Sequence, residues 1–480
     1  MQERIYFKWF LAVTVIFAGL SLPPLVTLHA PPPSVLEQIQ RNGELVVLTR
    51  NGPTTFYEGP NGPAGFEYDL AKLFAEQLGV RLKIVTPESF DAILPLVTRR
   101  SVHLAAAGLT ITEARKRRVR FGPPYQTITQ QLVYRRGHTP PRSPEALAGG
   151  LVEVVEGSSH ADRLQTLSLR TPIRWRSSRK DVAQLLARVW RKTLDYTVVD
   201  SNEFSVYRRY YPELRVAFDL GAPQQLAWAF PKSSDDSLYT AARRFFQRIR
   251  ADGTLARLKE RYFGHVQDFD YVGLRKFMRH MEQRLPRYRQ YFQDAARKYG
   301  QDWRLLAAIG YQESHWNHRA ISPTGVRGIM MLTRSTAAEM GYRNRIDPRN
   351  SIHGGARYFA RLKRRLPASI REPDRTWFAL AAYNLGLGHI RDVRDITRAR
   401  GGDPDKWMDV KQNLPLLMEE RWHRRTRHGY ARGIEALRYV ENIRSYYDLL
   451  QWQERPHRPP ATTVLVRSPR LLPSDPSPIL

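Results

Sequence analysis

Apolar and polar positions alternate in two different ways along this chain, and the change falls near residue 265. From Glu44 the first half alternates strand-like and helix-like stretches. Glu44 to Arg50 (ELVVLTR) is rich in β-branched residues, and Tyr68 to Leu78 sets Leu70, Leu73, Phe74 and Leu78 on one helical stripe. Arg81 to Thr86 alternates again, and a helix over Phe90 to Arg99 and a strand over Leu104 to Thr110 follow. This βαβαβ order predicts a mostly parallel sheet with helices on its faces. A second series starts at Leu151 (LVEVV) and includes Thr197 to Asp200 (TVVD) and Leu226 to Phe230 (LAWAF). Two sheets with crossings near Gly137 and Gly221 predict an α/β module of two lobes with a cleft between them.

Past a linker expected at Val266 to Gly273, the period becomes helical. Tyr288, Tyr291, Phe292 and Ala295, then Leu305, Leu306, Ile309 and Gly310, fall at helix spacing, as do Trp377 to Tyr383 and Leu437 to Leu450. No strand pair with a hairpin turn stands out, so an all-α domain is expected. Pro456 to Leu480 holds seven prolines in 25 residues, the composition of a disordered tail. At the other end, Arg4 and Lys8 precede an apolar run from Trp9 to Leu22 that Pro23-Pro24 breaks. Fourteen residues are short for a membrane span of roughly twenty, so a signal peptide over residues 1–30 is expected. Leu28 fits a cleavage site near Ala30 poorly, which leaves an uncleaved anchor as the alternative. The expected order is therefore signal peptide 1–30, two-lobed module 31–266, helical module 267–455 and tail 456–480.

Composition narrows the chemistry. With no cysteine, the chain can have no disulfide, thiolate nucleophile, Cys-based metal site or lipid-modified N-terminal cysteine. The net charge of +30 first brings nucleic acid to mind. The export segment argues against that partner and toward the polyanions of the cell envelope. The basic runs are Arg115 to Arg120 and Arg421 to Arg432, read either as a solvated face or as a polyanion-binding patch.

Particular residues sharpen both halves. Gly65-Phe66-Glu67-Tyr68-Asp69-Leu70-Ala71, Gly108 to Arg115 (GLTITEAR) and Phe121-Gly122-Pro123-Pro124-Tyr125 resemble the family 3 bacterial extracellular solute-binding proteins over roughly residues 40 to 265. The resemblance implies that Arg115 holds a ligand α-carboxylate with help from Thr110 and Thr112. A planar guanidinium suits that task because it matches the two carboxylate oxygens. It also implies that Ser158 and Ser159, in a Gly-Ser-Ser turn, and Asp200 contact the ligand, Asp200 meeting its amine. An amino acid or a peptide with a free carboxylate, such as a murein stem peptide, is the ligand class expected.

In the second half, Trp303, Leu306, Gly310 and Glu313 share one helix face that is otherwise apolar or small. A carboxyl there, beside the carbonyls of a helix end, should have a raised pKa, which general-acid catalysis of glycosidic cleavage requires. Ser314 to Asn317 follows, then Ser322-Pro323-Thr324-Gly325, Gly328-Ile329-Met330-Met331-Leu332, Ala382 to Gly386 (AYNLG) and Tyr439 to Ile443 (YVENI). In this order the motifs resemble the soluble-lytic-transglycosylase catalytic domain, a relative of goose-type lysozyme, over about residues 285 to 450. The resemblance implies a single acid/base, Glu313, which protonates the oxygen between N-acetylmuramic acid and N-acetylglucosamine. It then takes the proton of the sugar's own 6-hydroxyl, closing a 1,6-anhydro ring without consuming water. Ser322, Asn384 and Tyr439 match substrate-site positions. Met331 stands where the family has a sugar-binding Gln, so one subsite contact differs. No cofactor is implied.

The same residues allow other readings. Hydrolysis would need a second carboxylate, for which Glu339, Asp347 and Glu441 are available. A catalytically inactive peptide- or amino-acid-binding sensor is the remaining alternative. His315 and His318 lie three apart but lack a third metal ligand, and Gly386-Leu387-Gly388 lacks the third glycine of a dinucleotide loop. Trp377 and Tyr383 read as core, whereas Trp316 is a candidate for stacking on sugar. The expected partners are peptidoglycan glycan strands, in the periplasm, with peripheral attachment to the outer membrane through the N-terminus or surface charge.

Overall fold

The computed structural model describes residues 32–59, 62–137, 139–264, 271–322 and 325–454. The expected signal peptide and proline-rich tail lie outside the described residues, as does most of the expected linker, whose last residues instead begin the helix Tyr271–Gln283.

In the first lobe the strand Glu44–Leu48 runs parallel to Arg81–Val85 on one side and to Leu104–Thr110 on the other. The helix Phe66–Leu78 packs on this sheet through Phe66, Leu70 and Phe74. Its entry needs Gly65, because φ is +134° and a Cβ would stand 2.2 Å from the Thr55 carbonyl oxygen. The sheet is not wholly parallel: Gln224–Phe230 joins it antiparallel to Leu104–Thr110, with Leu226 opposite Thr110. The LAWAF strand therefore belongs to the first lobe, not to the second series. Its apolar run marks it as a buried strand, but only packing decides against which core, and Leu226, Trp228 and Phe230 pack with Phe74, Phe245 and Phe246.

The second lobe centres on Gln130–Arg135, flanked antiparallel by Thr197–Asp200 and Leu214–Asp219. A parallel pair, Leu151–Val155 with Arg174–Ser178, joins it through a bridge between Val152 and Tyr196. The chain enters this lobe at Thr129, not near Gly137. The strand Gln126–Ile128 still pairs with the first lobe, while Gln130–Arg135 already pairs with the second. Sequence shows one continuous polar-apolar run there. The break is a tertiary event, fixed where the Thr129 backbone exchanges hydrogen bonds with Ser201. The return passes Gly221, as expected, at φ +143°.

The second module is helical, as its period implied, and its core surrounds Trp303–Ser314, in which Arg304 to Tyr311 are all buried. The helices Arg289–Tyr299, Pro348–Arg365 and Gly433–Gln453 pack around it. The last of these also meets the first module. Its Arg444, 1% exposed, pairs with Glu260 at 2.6 Å, and Lys411 joins the same carboxylate at 3.1 Å. Its Asp448 pairs with Arg209 at 2.7 Å, and Trp452 stacks on Tyr210 with ring centres 4.4 Å apart.

Candidate active site

The helix Trp303–Ser314 starts on Asp302, whose side chain accepts from the Arg304 amide, and ends in two successive left-handed residues, His315 (φ 52°) and Trp316 (φ 55°). This sharp reversal tucks Trp316 back under its own helix. Its ring is 1% exposed and donates from Nε1 to the Ala307 carbonyl at 2.8 Å. Trp316 is thus core, and the expectation that it stacks on sugar is corrected: an aromatic after a polar turn looks exposed only until the turn's handedness is known. Trp377 is buried as expected, under Arg444.

The reversal leaves Glu313 on the last turn, one residue before Ser314, which grips the loop Gly328 to Met331. Gly310 lets that loop approach, since a Cβ there would lie 3.0 Å from Phe292 and 3.1 Å from Ile329. Three side chains fasten the loop. Ser314 Oγ donates toward Ile329 O (2.9 Å) and Gly310 O (3.1 Å), Ser351 Oγ accepts from the Met330 amide (3.1 Å), and Tyr383 OH donates to Met330 O (2.9 Å). Gly328 has φ +86°, and a Cβ would sit 2.0 Å from Arg345 O. Met331, itself left-handed at φ 46°, is left half-buried at the loop's end.

Glu313 accepts a 2.5 Å hydrogen bond from Tyr439 OH. Burial pushes its carboxyl up to about 7, against the smaller opposing pull of the Tyr439 hydroxyl. Burial, and then the Glu313 charge, hold the hydroxyls of Tyr383 and Tyr439 well above the usual phenol range, so both remain donors. The other candidates for a second catalytic carboxylate are Asp347, Glu339 and Glu441. Asp347 caps the helix Pro348–Arg365 through the Asn350 amide, and Glu339 is exposed and paired with Arg361. Glu441 follows Tyr439 by two positions, about 200° around the helix.

The remaining expected positions divide. Asn384 is exposed beside Tyr383 near the end of Asp374–Leu385. Ser322 closes a tight loop, its Oγ accepting from the Val326 amide at 3.2 Å. His318 bonds Tyr288 OH, and His315 packs on Tyr311. Sequence reasoning missed Ser314 and Ser351 and read Tyr383 only as core. Ser314 and Tyr383 lie inside the Glu-Ser and Ala-Tyr-Asn motifs, where a polar atom among apolar neighbours could have flagged them. Nothing near Ser351 marks it.

In the first module a cavity of about 280 Å³ lies between the lobes, lined by Thr110, Arg115, Ser158, Ser159 and Asp200 among others. Arg115 is 4% exposed, although Lys116, Arg117 and Arg118 beside it are exposed. Its Nη1 donates to Thr110 O and its Nη2 crosses to Gly157 O, both at 3.1 Å. Ser159 Oγ reaches Thr110 Oγ1 at 3.2 Å, so the lobes meet here. Ser158 caps the helix Ser159–Ser168. Thr112 caps Glu113–Lys116 by accepting from the Arg115 amide, a structural role outside the cavity lining. His160 Nε2 bonds Asp200 Oδ1 at 2.8 Å, a partnership with no counterpart in the sequence reading.

A two-lobed module with a cleft, and a helical module in which a carboxyl of raised pKa ends the central helix, correspond to two known families. Residues 45–265 match bacterial extracellular solute-binding proteins, family 3, and residues 290–405 match the transglycosylase SLT domain, so the chain is a lytic transglycosylase carrying a solute-binding module. Membrane-bound lytic murein transglycosylase F 1 of Alkalilimnicola ehrlichii is 51% identical over 452 residues, 93% of this chain and 91% of that protein. Its namesake in Saccharophagus degradans is 47% identical over 448 residues, 93% and 89% of the two chains. Among solved structures, a mutant of ArgBP from T. maritima is 27% identical and covers 48% of this chain and 99% of that one, with a TM-score of 0.45. The chain belongs to the membrane-bound lytic murein transglycosylase F family.

Proposed function

We propose that Glu313 is the sole acid/base with which this enzyme cuts the β-1,4 bond between N-acetylmuramic acid and N-acetylglucosamine in murein. The observation that carries the reading is a carboxyl pushed up to about 7 by burial, with the Tyr439 hydroxyl as its partner. A carboxyl protonated near neutral pH can hand its proton to the bridging oxygen as the C–O bond breaks. The resulting carboxylate is steadied by the Tyr439 O–H. It then takes the proton of the 6-hydroxyl, whose oxygen bonds to C1 and closes the 1,6-anhydro ring. The proton count balances within the saccharide, and water is not consumed. Asn384, Ser322 and Met331 are assigned to the substrate subsites.

Around this centre, the module over residues 31–266 is assigned to binding an amino acid or murein stem peptide through Arg115, and residues 267–455 to catalysis. The relatives' names support membrane attachment and the export segment supports a periplasmic enzyme, which we assign to peripheral attachment at the outer membrane. No helix among the described residues is long and apolar enough to cross a membrane. The exposed arginines between Arg421 and Arg432 supply a cationic face for attachment.

Digestion of purified sacculi with wild type and Glu313→Gln, with the fragments weighed, tests the reading. Fragments lighter than hydrolysed ones by one water, made by wild type and lost in Glu313→Gln, are expected. Fragments of hydrolysed mass would make the enzyme a muramidase, and no fragments from wild type would leave a sensor.

A further inference from the structure

The loop Gly328 to Met331 is closed at its base by Arg327 and Leu332, whose backbones exchange hydrogen bonds of 3.3 and 3.2 Å. A third residue locks onto the same base. Arg345 Nη1 donates to Leu332 O at 2.7 Å, and the Arg345 carbonyl packs so closely on Gly328 that no Cβ would fit there. Arg334 comes two residues after Leu332 and opens the helix Arg334–Glu339, which Thr333 caps. Three guanidiniums are thus carried on one small frame. Arg327 and Arg334 are exposed, and Arg345 is half-buried.

Among the described residues no carboxylate pairs with any of the three. The acids nearest in sequence are engaged elsewhere, Glu339 with Arg361 and Asp347 at the Asn350 amide. Burial, and then the charges of Arg327 and Arg334, hold Arg345 below the usual guanidinium range, so the three cations feel one another. An anion drawn among them relieves that repulsion and meets planar sets of N–H donors. Arg345 gives one N–H to Leu332 O, but a guanidinium carries five. The frame belongs to the loop that Ser314 grips, one residue past Glu313. In murein the anion nearest the cut is the peptide stem on the muramoyl residue. The second residue of the stem is D-glutamate, linked through its γ-carboxyl. Its α-carboxylate stays free, roughly 7 Å of extended chain beyond the sugar's lactyl group.

We propose that Arg327, Arg334 and Arg345 form a subsite for the free carboxylates of the peptide stem on the strand being cut. The enzyme then prefers glycan whose stems are anionic over glycan whose stem carboxylates are masked. The inference rests on the reading that Glu313 is the acid/base, which sets the reacting muramoyl residue beside this loop. Arg345 has a double part, because it also tethers Leu332. Arg327 and Arg334 are the members whose guanidiniums are committed to the anion alone.

Soluble glycan strands, freed from sacculi by an endopeptidase, are used untreated and after methylamidation of their carboxylates, and kcat/KM of the full chain is measured on both. Wild type should favour the untreated strands by about tenfold, the worth of one hydrogen bond to a charged group. The double variant Arg327→Gln, Arg334→Gln should erase most of that preference. Arg334→Gln alone, at an exposed helix position, should reduce it and serves if the pair fails to fold. The charge-matched control Arg243→Gln, Arg244→Gln, at exposed positions of the first module, should keep the preference. That control separates a local subsite from the general pull of a chain of net charge +30. Indifference of wild type to amidation, an undiminished preference in the arginine variants, or an equal loss in the control overturns the inference. So does a double variant that keeps the preference but loses adhesion to vesicles of anionic lipid, since these arginines would then serve a membrane surface. Full-speed cleavage by Glu313→Gln would instead remove the reading on which the inference rests.

Discussion

At Glu313 two influences oppose each other, and substitution separates them. Burial favours the neutral acid, whereas the Tyr439 hydroxyl favours the carboxylate. Tyr439→Phe removes the second influence, so the pKa should climb further above about 7. The acid would stay protonated to higher pH, and the alkaline limb of the pH–rate profile should move up by about one unit, with a lower plateau. A limb that moves down would contradict the assignment. The same carboxyl weighs on stability. Its folded pKa lies above the 4.5 of the free group, so ionising it opposes folding, fully so above about pH 7. Glu313→Gln should therefore stabilise the enzyme by up to about 3 kcal/mol at pH 8 and by almost nothing at pH 4, as denaturant melts at the two pH values would show. At this scale the sequence was informative about Glu313 and Tyr439, because each stands in an ordered motif. It was silent on Ser351 and the Asp200–His160 bond, because partners far apart in sequence leave no local pattern, and it misplaced Trp316 because handedness at a turn is not written in polarity.

Among the elements, the helix end and the loop it grips act as one part. Ser314→Ala removes the hydroxyl shared by Ile329 and Gly310, both inside protein. A loss of about 1–2 kcal/mol is expected, with kcat falling more than KM rises, because Ser314 adjoins the proposed acid/base Glu313. Gly328→Ala is harsher, since it forces a Cβ against the Arg345 carbonyl at a left-handed φ. About 3 kcal/mol or more should be lost, visible as a lower melting temperature. Periodicity identified the helices of Glu313, Asn384 and Tyr439 and the strands of Thr110 and Asp200, because amphipathic spacing is a local property, but not the helices that carry Arg115, Ser159 or Ser351. It could not say that LAWAF closes the first sheet or that the crossing falls at Thr129. Both depend on which core a buried strand meets.

Across the whole molecule, the join between modules includes a buried charge cluster beside its aromatic contacts. Burial alone would raise the Glu260 carboxyl, but Arg444 and Lys411 outweigh it and hold it below the usual range. A depressed carboxyl lends stability that is present above its free value, near 4.5, and is lost as pH falls through the folded value. Calorimetry should therefore resolve one transition at pH 7 and two once the solution is acidified below about pH 4. Arg444→Met should separate the transitions already at pH 7. Sequence analysis found two modules but no join, because Glu260 and Arg444 lie far apart in the chain and neither stands out in so basic a protein.

The helix Gly433–Gln453 has one flank toward Glu313 and another toward the solute-binding half, where Arg444, Asp448 and Trp452 find their partners. If the second half is produced alone, that flank is stripped. A guanidinium and a bare indole would then be presented to water on a strongly cationic body. Such a fragment should adhere to acidic resins and vesicles and self-associate more readily than the intact enzyme. Enzymologists working with excised halves would be measuring that stickiness along with catalysis.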